Sequence, residues 1–278
     1  MKRRFKRNNL PFLLLCFIHS TLIIYTFFRK KDRKTLFILL SSNIGLAYLF
    51  DYIILNYFHS YVYKPKLIKK RYLDNILGAI LSQGIFVPFT ATFITAFGFG
   101  WKVKVLLGVY FAIVERVFIR MKIFKTNWWR TIFTLILIPF SFQISDIWFK
   151  LLIKRNKVIL SSSFFMIIMV SWTNLYYILF SLFRNYRFGF GFIRTWKEHF
   201  KIIPFYILAL SIISSWSIKN NDGFNGKLRS LFVIKIVDII FKKFTLFKSD
   251  FKFLFLNSGL QIGMIYLIAK LKKIVFEN

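Results

Sequence analysis

Apolar residues in this chain come in long runs, and short basic clusters separate one run from the next. A helix rising 1.5 Å per residue crosses a hydrocarbon core of about 30 Å in about 20 residues, so each run predicts one membrane-spanning helix. The first run, 10–28, follows Lys2, Arg3, Arg4, Lys6 and Arg7 and precedes the basic stretch from Arg29 to Lys34. A basic start before an apolar run also describes a secretory leader. No small-x-small cleavage pattern follows, however, and Leu15 is bulky where a lipoprotein site at Cys16 needs a small residue. The expectation is an uncleaved first helix. Further spans are predicted over 35–61, 74–99 (interrupted by Pro88), 105–121, 131–153 (with Pro139), 158–183, 202–218 and 253–269. Trp101, Trp128 and Trp129 fall where interfacial aromatics belong.

Residues 228–252 follow a different pattern. Lys235, Asp238, Lys242, Thr245, Ser249 and Lys252 recur every three or four positions among Leu, Phe, Val and Ile. This predicts an amphipathic helix lying in the headgroup region, with a tilted extra span, its polar stripe turned inward, as the competing reading. The fold class is therefore all-α: a single polytopic transmembrane helix bundle, 1–278, of about eight spans plus one interfacial helix. The cations divide nearly evenly between the two sides of such a bundle. Only the dense basic N-terminus points to a cytoplasmic start.

Composition narrows the class. Of 278 residues, 57% are hydrophobic and 38 are Phe, too much apolar mass for a disordered chain and too much for a water-soluble globule to cover. The 42 Lys and Arg against 10 Asp and Glu give a net charge of +32. Basic clusters flanking apolar runs are explained by anchoring at helix ends, so nucleic acid is not an expected partner; the lipid bilayer is, with anionic lipids as candidates. The abundance of Phe, Ile, Lys and Asn also fits an AT-rich genome, which assigns part of the basic excess to codon bias. The single Cys16 excludes an intrachain disulfide, and three His with one Cys supply no dense metal cluster.

Ionisable residues inside spans are costly and serve as functional candidates. Asp51 lies near the middle of the second run, with Asn43 eight residues before it and His59 eight after, a set the sequence places on one helical face. That face suits a proton or cation path; a buried carboxylate paired with an Arg is the structural alternative, and the weightier one. Glu115 and Arg116 are adjacent, so each needs a partner on another element, Arg116 most simply with Asp51 or Asp146. Arg116 and Arg120 form a basic ridge suited to an anionic headgroup or to snorkelling. Asp146 has Lys150 four residues on, an ordinary helix pair. No HExxH, GxSxG or CxxC pattern occurs, so neither catalysis nor a cofactor nor a metal is expected. Gly189 to Ile193 has the look of an RNA-recognition strand, but the loop is too short for the sheet such a strand needs. Gly259 and Gly263 make a GxxxG pair, a common helix-contact pattern.

The most distinctive block runs from Tyr72 to Thr134: Asp74-Asn75 and Ser82-Gln83 around a short helix, Val87-Pro88, a Gly100-Trp101 break, Glu115 in the next helix, then Asn127-Trp128-Trp129-Arg130-Thr131. It resembles a family of small uncharacterised polytopic membrane proteins of low-GC, endospore-forming Gram-positive bacteria. The resemblance implies a bacterial cytoplasmic or spore membrane, a fold of packed helices and no known activity, and it singles out Asp74, Gln83, Pro88, Glu115, Asn127, Trp128 and Trp129. The expected function is a non-enzymatic envelope protein binding partners or lipid. The alternative is a proton-coupled permease lined by Asp51, Glu115 and the Pro88 break, and a lipid-acting intramembrane enzyme is the least favoured.

Overall fold

A computed structural model describes residues 9–183, 187–189, 195–221, 223–244 and 251–277. The fold is all-α, with one small ribbon of two strands. The chain divides into two compact units, 1–159 and 160–278.

The N-terminal unit begins with α1 (Leu10–Arg29) and α2 (Arg33–Asp51). Asp32 caps α2 by accepting from the Thr35 N–H at 3.0 Å. α2 runs into a wide π-helical turn over Tyr52–Tyr57, and the chain then leaves helical geometry at His59, whose φ is +52°. Strand β1 (Tyr61–Tyr63) follows, where the sequence predicts the end of a span. The third span is built from α3 (Arg71–Leu81), a second wide turn (Ser82–Phe86) and α4 (Val87–Ala96). Pro88 has no N–H to give to the preceding turn, and a widened turn ahead of it is the local answer to that missing bond. The nearby threonines serve other ends: Thr90 donates to the Phe86 carbonyl at 2.8 Å, whereas Thr92 and Thr95 bond to neighbouring helices.

Helix α5 (Trp101–Arg120) and strand β2 (Phe124–Thr126) lead to α6 (Thr131–Ile153). β2 pairs antiparallel with β1, Tyr61 opposite Thr126 and Tyr63 opposite Phe124. α5 and α6 pack closely, and Gly108 explains how: a Cβ there would lie 2.7 Å from Pro139 Cγ and 3.2 Å from the Leu135 carbonyl oxygen. Gly78 does the same for the ribbon, since a Cβ on it would collide with the Tyr63 side chain.

The C-terminal unit holds most of α7 (Lys157–Leu182), then α8 (Trp196–Asn220), α9 (Phe224–Lys243) and α10 (Phe251–Phe276). α8 starts six residues before the predicted span. Thr195 accepts from the Glu198 N–H at 3.2 Å, and Glu198 accepts from the Thr195 N–H at 2.9 Å, a reciprocal cap written plainly as Thr-x-x-Glu. Trp172, Tyr176 and Phe180 form a stacked aromatic spine in α7. α9 divides its polar stripe. Lys235 and Asp238 turn toward α10 and α8, while Phe232, Ile236, Ile239 and Ile240 are exposed and, of the remaining predicted stripe, Lys242 is exposed at the helix end. Thr245 and Ser249 lie outside the described residues.

Among the described residues, seven helical stretches are long and apolar enough to cross a membrane: Leu10–Arg29, Arg33–Tyr57, Arg71–Ala96, Thr131–Ile153, Lys157–Leu182, Trp196–Asn220 and Phe253–Phe276. The predicted fourth span is the exception. α5 has the length, but Lys102, Lys104, Glu115, Arg116 and Arg120 lower its apolar content. On α1, Leu10, Leu14, Phe17, Ile24 and Phe28 are 55–77% exposed, a continuous apolar surface that water would not tolerate and lipid accepts. The protein is a multi-pass membrane protein. The Gly108–Pro139 contact makes Gly108→Leu an overpacking change. It should destabilise the N-terminal unit by about 1–3 kcal/mol, read as a lower unfolding midpoint in detergent.

Candidate functional site

Two kinds of polar group occur within the helices of the N-terminal unit, and only one kind is neutralised. The neutralised set begins at Asn43 on α2, whose side-chain N–H groups reach Thr92 on α4 at 3.2 Å and Ser145 on α6 at 3.0 Å. The Thr95 hydroxyl donates to Asp146 Oδ1 at 2.6 Å and lies 3.0 Å from the Ser145 hydroxyl. The other Asp146 oxygen pairs with Lys104 of α5, and the same ammonium reaches Gln143 Oε1 at 2.7 Å. Asp146 therefore pairs across helices with buried Lys104; Lys150, its expected partner four residues on, is exposed. Arg116 is exposed too and joins neither Asp51 nor Asp146.

The second set stands beside a cavity of about 400 Å³ within this unit. Its apolar wall comes from Phe12 and Leu15 of α1, Phe86, Val87 and Ala91 around the Pro88 turn, and Phe111 of α5. Phe50 of α2 and Leu137, Phe140 and Ile144 of α6 also line it, and these are 37–55% exposed. The cavity thus reaches the unit's outer surface between two membrane-crossing helices.

At its polar end Glu115 accepts from the Thr131 hydroxyl at 2.7 Å and from the Thr134 hydroxyl. Thr134 in turn accepts from the Trp129 indole N–H at 3.0 Å. Asp51 accepts from the Tyr61 hydroxyl and from the Gln83 amide at 3.2 Å. Gln83, Tyr61, Tyr63, Phe124, Trp129 and Glu115 all line the cavity. Burial first, and the Asp51 carboxylate next, push the Tyr61 and Tyr63 hydroxyls well above their ordinary range, with Glu115 adding to both. Both tyrosines stay O–H donors at physiological pH.

The Asp51, Asn43 and His59 face does not form. The wide turn at 52–57 shifts the register, the helix ends before residue 59, and the His59 ring lies 3.3 Å from the Leu55 carbonyl of its own segment. Asn43 belongs to the Asp146 network, Asp51 to the cavity end.

The remaining motif residues shape the loops that close this end. Asp74 accepts three backbone N–H groups, from Lys66, Leu67 and Ile68, at 2.8–2.9 Å. Its neighbour Asn75 accepts from the Tyr63 N–H at 2.7 Å, which ties β1 to α3. Asn127 donates to the His59 carbonyl at 2.6 Å, and the Trp128 indole donates to the Phe58 carbonyl at 3.0 Å. Together they hold the chain just after the α2 turn, and Trp129 closes over Tyr61, ring centroids 5.3 Å apart.

Several residues that matter here carry no mark in the sequence. His19 of α1 is buried, 2.8 Å from the Thr90 hydroxyl and stacked on Phe111. Tyr61 and Tyr63 show their alternation over only three residues. In the C-terminal unit, Tyr206, Gln261 and Lys235 surround Asp238, and Tyr176 joins Asn257 at 2.9 Å, a network closed within itself. A Cβ added at either GxxxG glycine of α10 would meet nothing within 4 Å, so neither position requires glycine for a close helix contact. Of the Gly189 to Ile193 stretch, 190–193 lie outside the described residues. No cluster of metal-ligating side chains occurs among the described residues. No family model, curated protein or solved structure matches this chain.

Two outcomes follow from the geometry. Lys104→Met leaves Asp146 buried without its counter-charge and should cost about 3–5 kcal/mol, whereas Lys104→Met with Asp146→Leu should recover most of that, both read from unfolding midpoints in detergent. Asp74→Ala orphans three N–H groups at once; limited proteolysis should then cut within 64–70 at least about tenfold faster, while the helical spans stay protected.

Proposed function

We propose that this chain is a non-catalytic envelope or spore-membrane protein whose N-terminal unit holds the hydrocarbon part of a lipid. One observation carries the reading: an apolar cavity, within the usual range of about 300–1,000 Å³ for small-ligand sites, reaches the outer surface between two membrane-crossing helices. Lipid tails have direct access to such a mouth. The likeness of residues 72–134 to polytopic proteins of endospore formers supports a bacterial cytoplasmic or spore membrane. The carboxylates beside the cavity are held in place by hydroxyl and amide donors, which supports a preformed binding site. The permease alternative, lined by Asp51, Glu115 and the Pro88 break, needs a polar path, and a cavity walled mainly by apolar side chains favours binding over transport.

Lipid extraction and mass spectrometry of the protein purified in mild detergent test this. The wild-type chain should retain lipid after exhaustive exchange, and Ala91→Phe, which fills the cavity from α4, should lose most of it while keeping its helical content. Equal retention by the two proteins would refute the proposal.

A further inference from the structure

The polar end of the cavity is acidic in a chain that is otherwise overwhelmingly basic. Lys and Arg outnumber Asp and Glu 42 to 10, yet neither Glu115 nor Asp51 forms an ion pair with a cation among the described residues. Arg116 follows Glu115 by one position, which does not bring the two side chains face to face, and it is exposed, as is Arg120. Glu115 lines the cavity, and its two hydroxyl donors leave acceptor capacity on a carboxylate that has room for about four. Asp51 stands one side chain behind: it is 5% exposed, its Oδ2 accepts no hydrogen bond, and both of its partners, Tyr61 and Gln83, line the cavity.

Aromatic rings complete this end. Tyr61 lies 5.6 Å from Tyr63, 5.3 Å from Phe124 and 5.3 Å from Trp129, centroid to centroid, and all four line the cavity. Ring faces attract ammonium groups, and a carboxylate in a poorly hydrated place gains most from a matching cation. An anionic headgroup would meet like charge here, and an uncharged one would leave Glu115 without a counter-ion. The combination of greasy walls, a lateral mouth, an aromatic box and unpaired carboxylates is complementary to one kind of molecule.

We propose that the cavity binds an ammonium-bearing amphiphile, an aminolipid, with its chain along Phe12, Leu15, Val87 and Ala91 and its ammonium against Glu115, Tyr61 and Trp129. The proposal rests on the lipid-binding reading above and names the headgroup that reading leaves open. Asp51 acts as a positioning residue that holds Tyr61 and Gln83.

Three probes of equal chain length separate the two claims. Dodecylamine, dodecanol and dodecanoate are measured for binding to the full-length wild-type protein in detergent, the amine radiolabelled and the others as competitors. The amine should bind at least about tenfold more tightly than the alcohol, and dodecanoate least. Glu115→Gln should bring amine and alcohol to parity, and Glu115→Asp should keep the wild-type order. Equal wild-type affinities for amine and alcohol, an unchanged preference in Glu115→Gln, or tighter binding of dodecanoate would each overturn the headgroup assignment and leave chain binding standing. Failure of all three probes to bind would overturn both. The wild-type comparison requires no variant to fold.

Discussion

Within hydrocarbon there is no water to take up a stray hydrogen bond, so every polar side chain that a helix carries inward must meet another one there. The Lys104–Asp146 pair shows how far this constraint reaches. Two opposite charges placed on neighbouring helices recruit Gln143, Thr95, Ser145, Asn43 and Thr92, and through them four helices of the N-terminal unit are tied to one another. Hydrophobic burial selects little among arrangements of apolar helices in lipid, because tails and side chains are equally greasy. A polar chain that fits in only one arrangement does select. The close Gly108–Pro139 contact brings α5 and α6 near enough for that selection to act.

With these helices tied at one place, the space elsewhere between them need not be filled. The cavity lies among the same elements, and its polar end is shut by a short ribbon joining two loops far apart in the chain. Asp74, Asn75, Asn127 and Trp128 all act on this closure, binding main-chain groups of the loops and of the α2 turn. Glu115 and Asp51 are left with neutral donors only. A division of labour results: one carboxylate, Asp146, organises the packing, while Glu115 faces the place where a ligand can sit and Asp51 stands behind the side chains that line it.

The spans were legible because hydrocarbon thickness imposes a run length that composition alone reveals, and six of the seven apolar stretches begin within about four residues of where the runs place them. The remaining one, α8, begins earlier because the aromatic and basic residues 196–201 mask its start, although Thr195 and Glu198 announce it. α5 misled in the opposite sense, since its charges are tolerable on a helix that turns Lys104 inward. Partner choice was illegible. Lys150 and Lys104 look alike in one dimension, and only the crossing of α5 over α6 brings the second to Asp146. The His59 alignment failed for a local reason, a widened turn that no residue in Tyr52–Tyr57 signals. The distinctive block from Tyr72 to Thr134 did contain the loop-closing residues, yet the tyrosines facing Asp51 and Glu115 lie outside it, on a strand too short to show its period.

Asn127 and Trp128 grip carbonyl oxygens, a feature common to every amino acid, so these two hydrogen bonds call for no particular side chain at residues 58 and 59. Evolutionary drift at those two positions is therefore nearly free of consequence for the clasp, while the gripping residues themselves have little latitude. Divergent chains built on this plan would keep the Asn-Trp pair long after the segment beneath it had become unrecognisable.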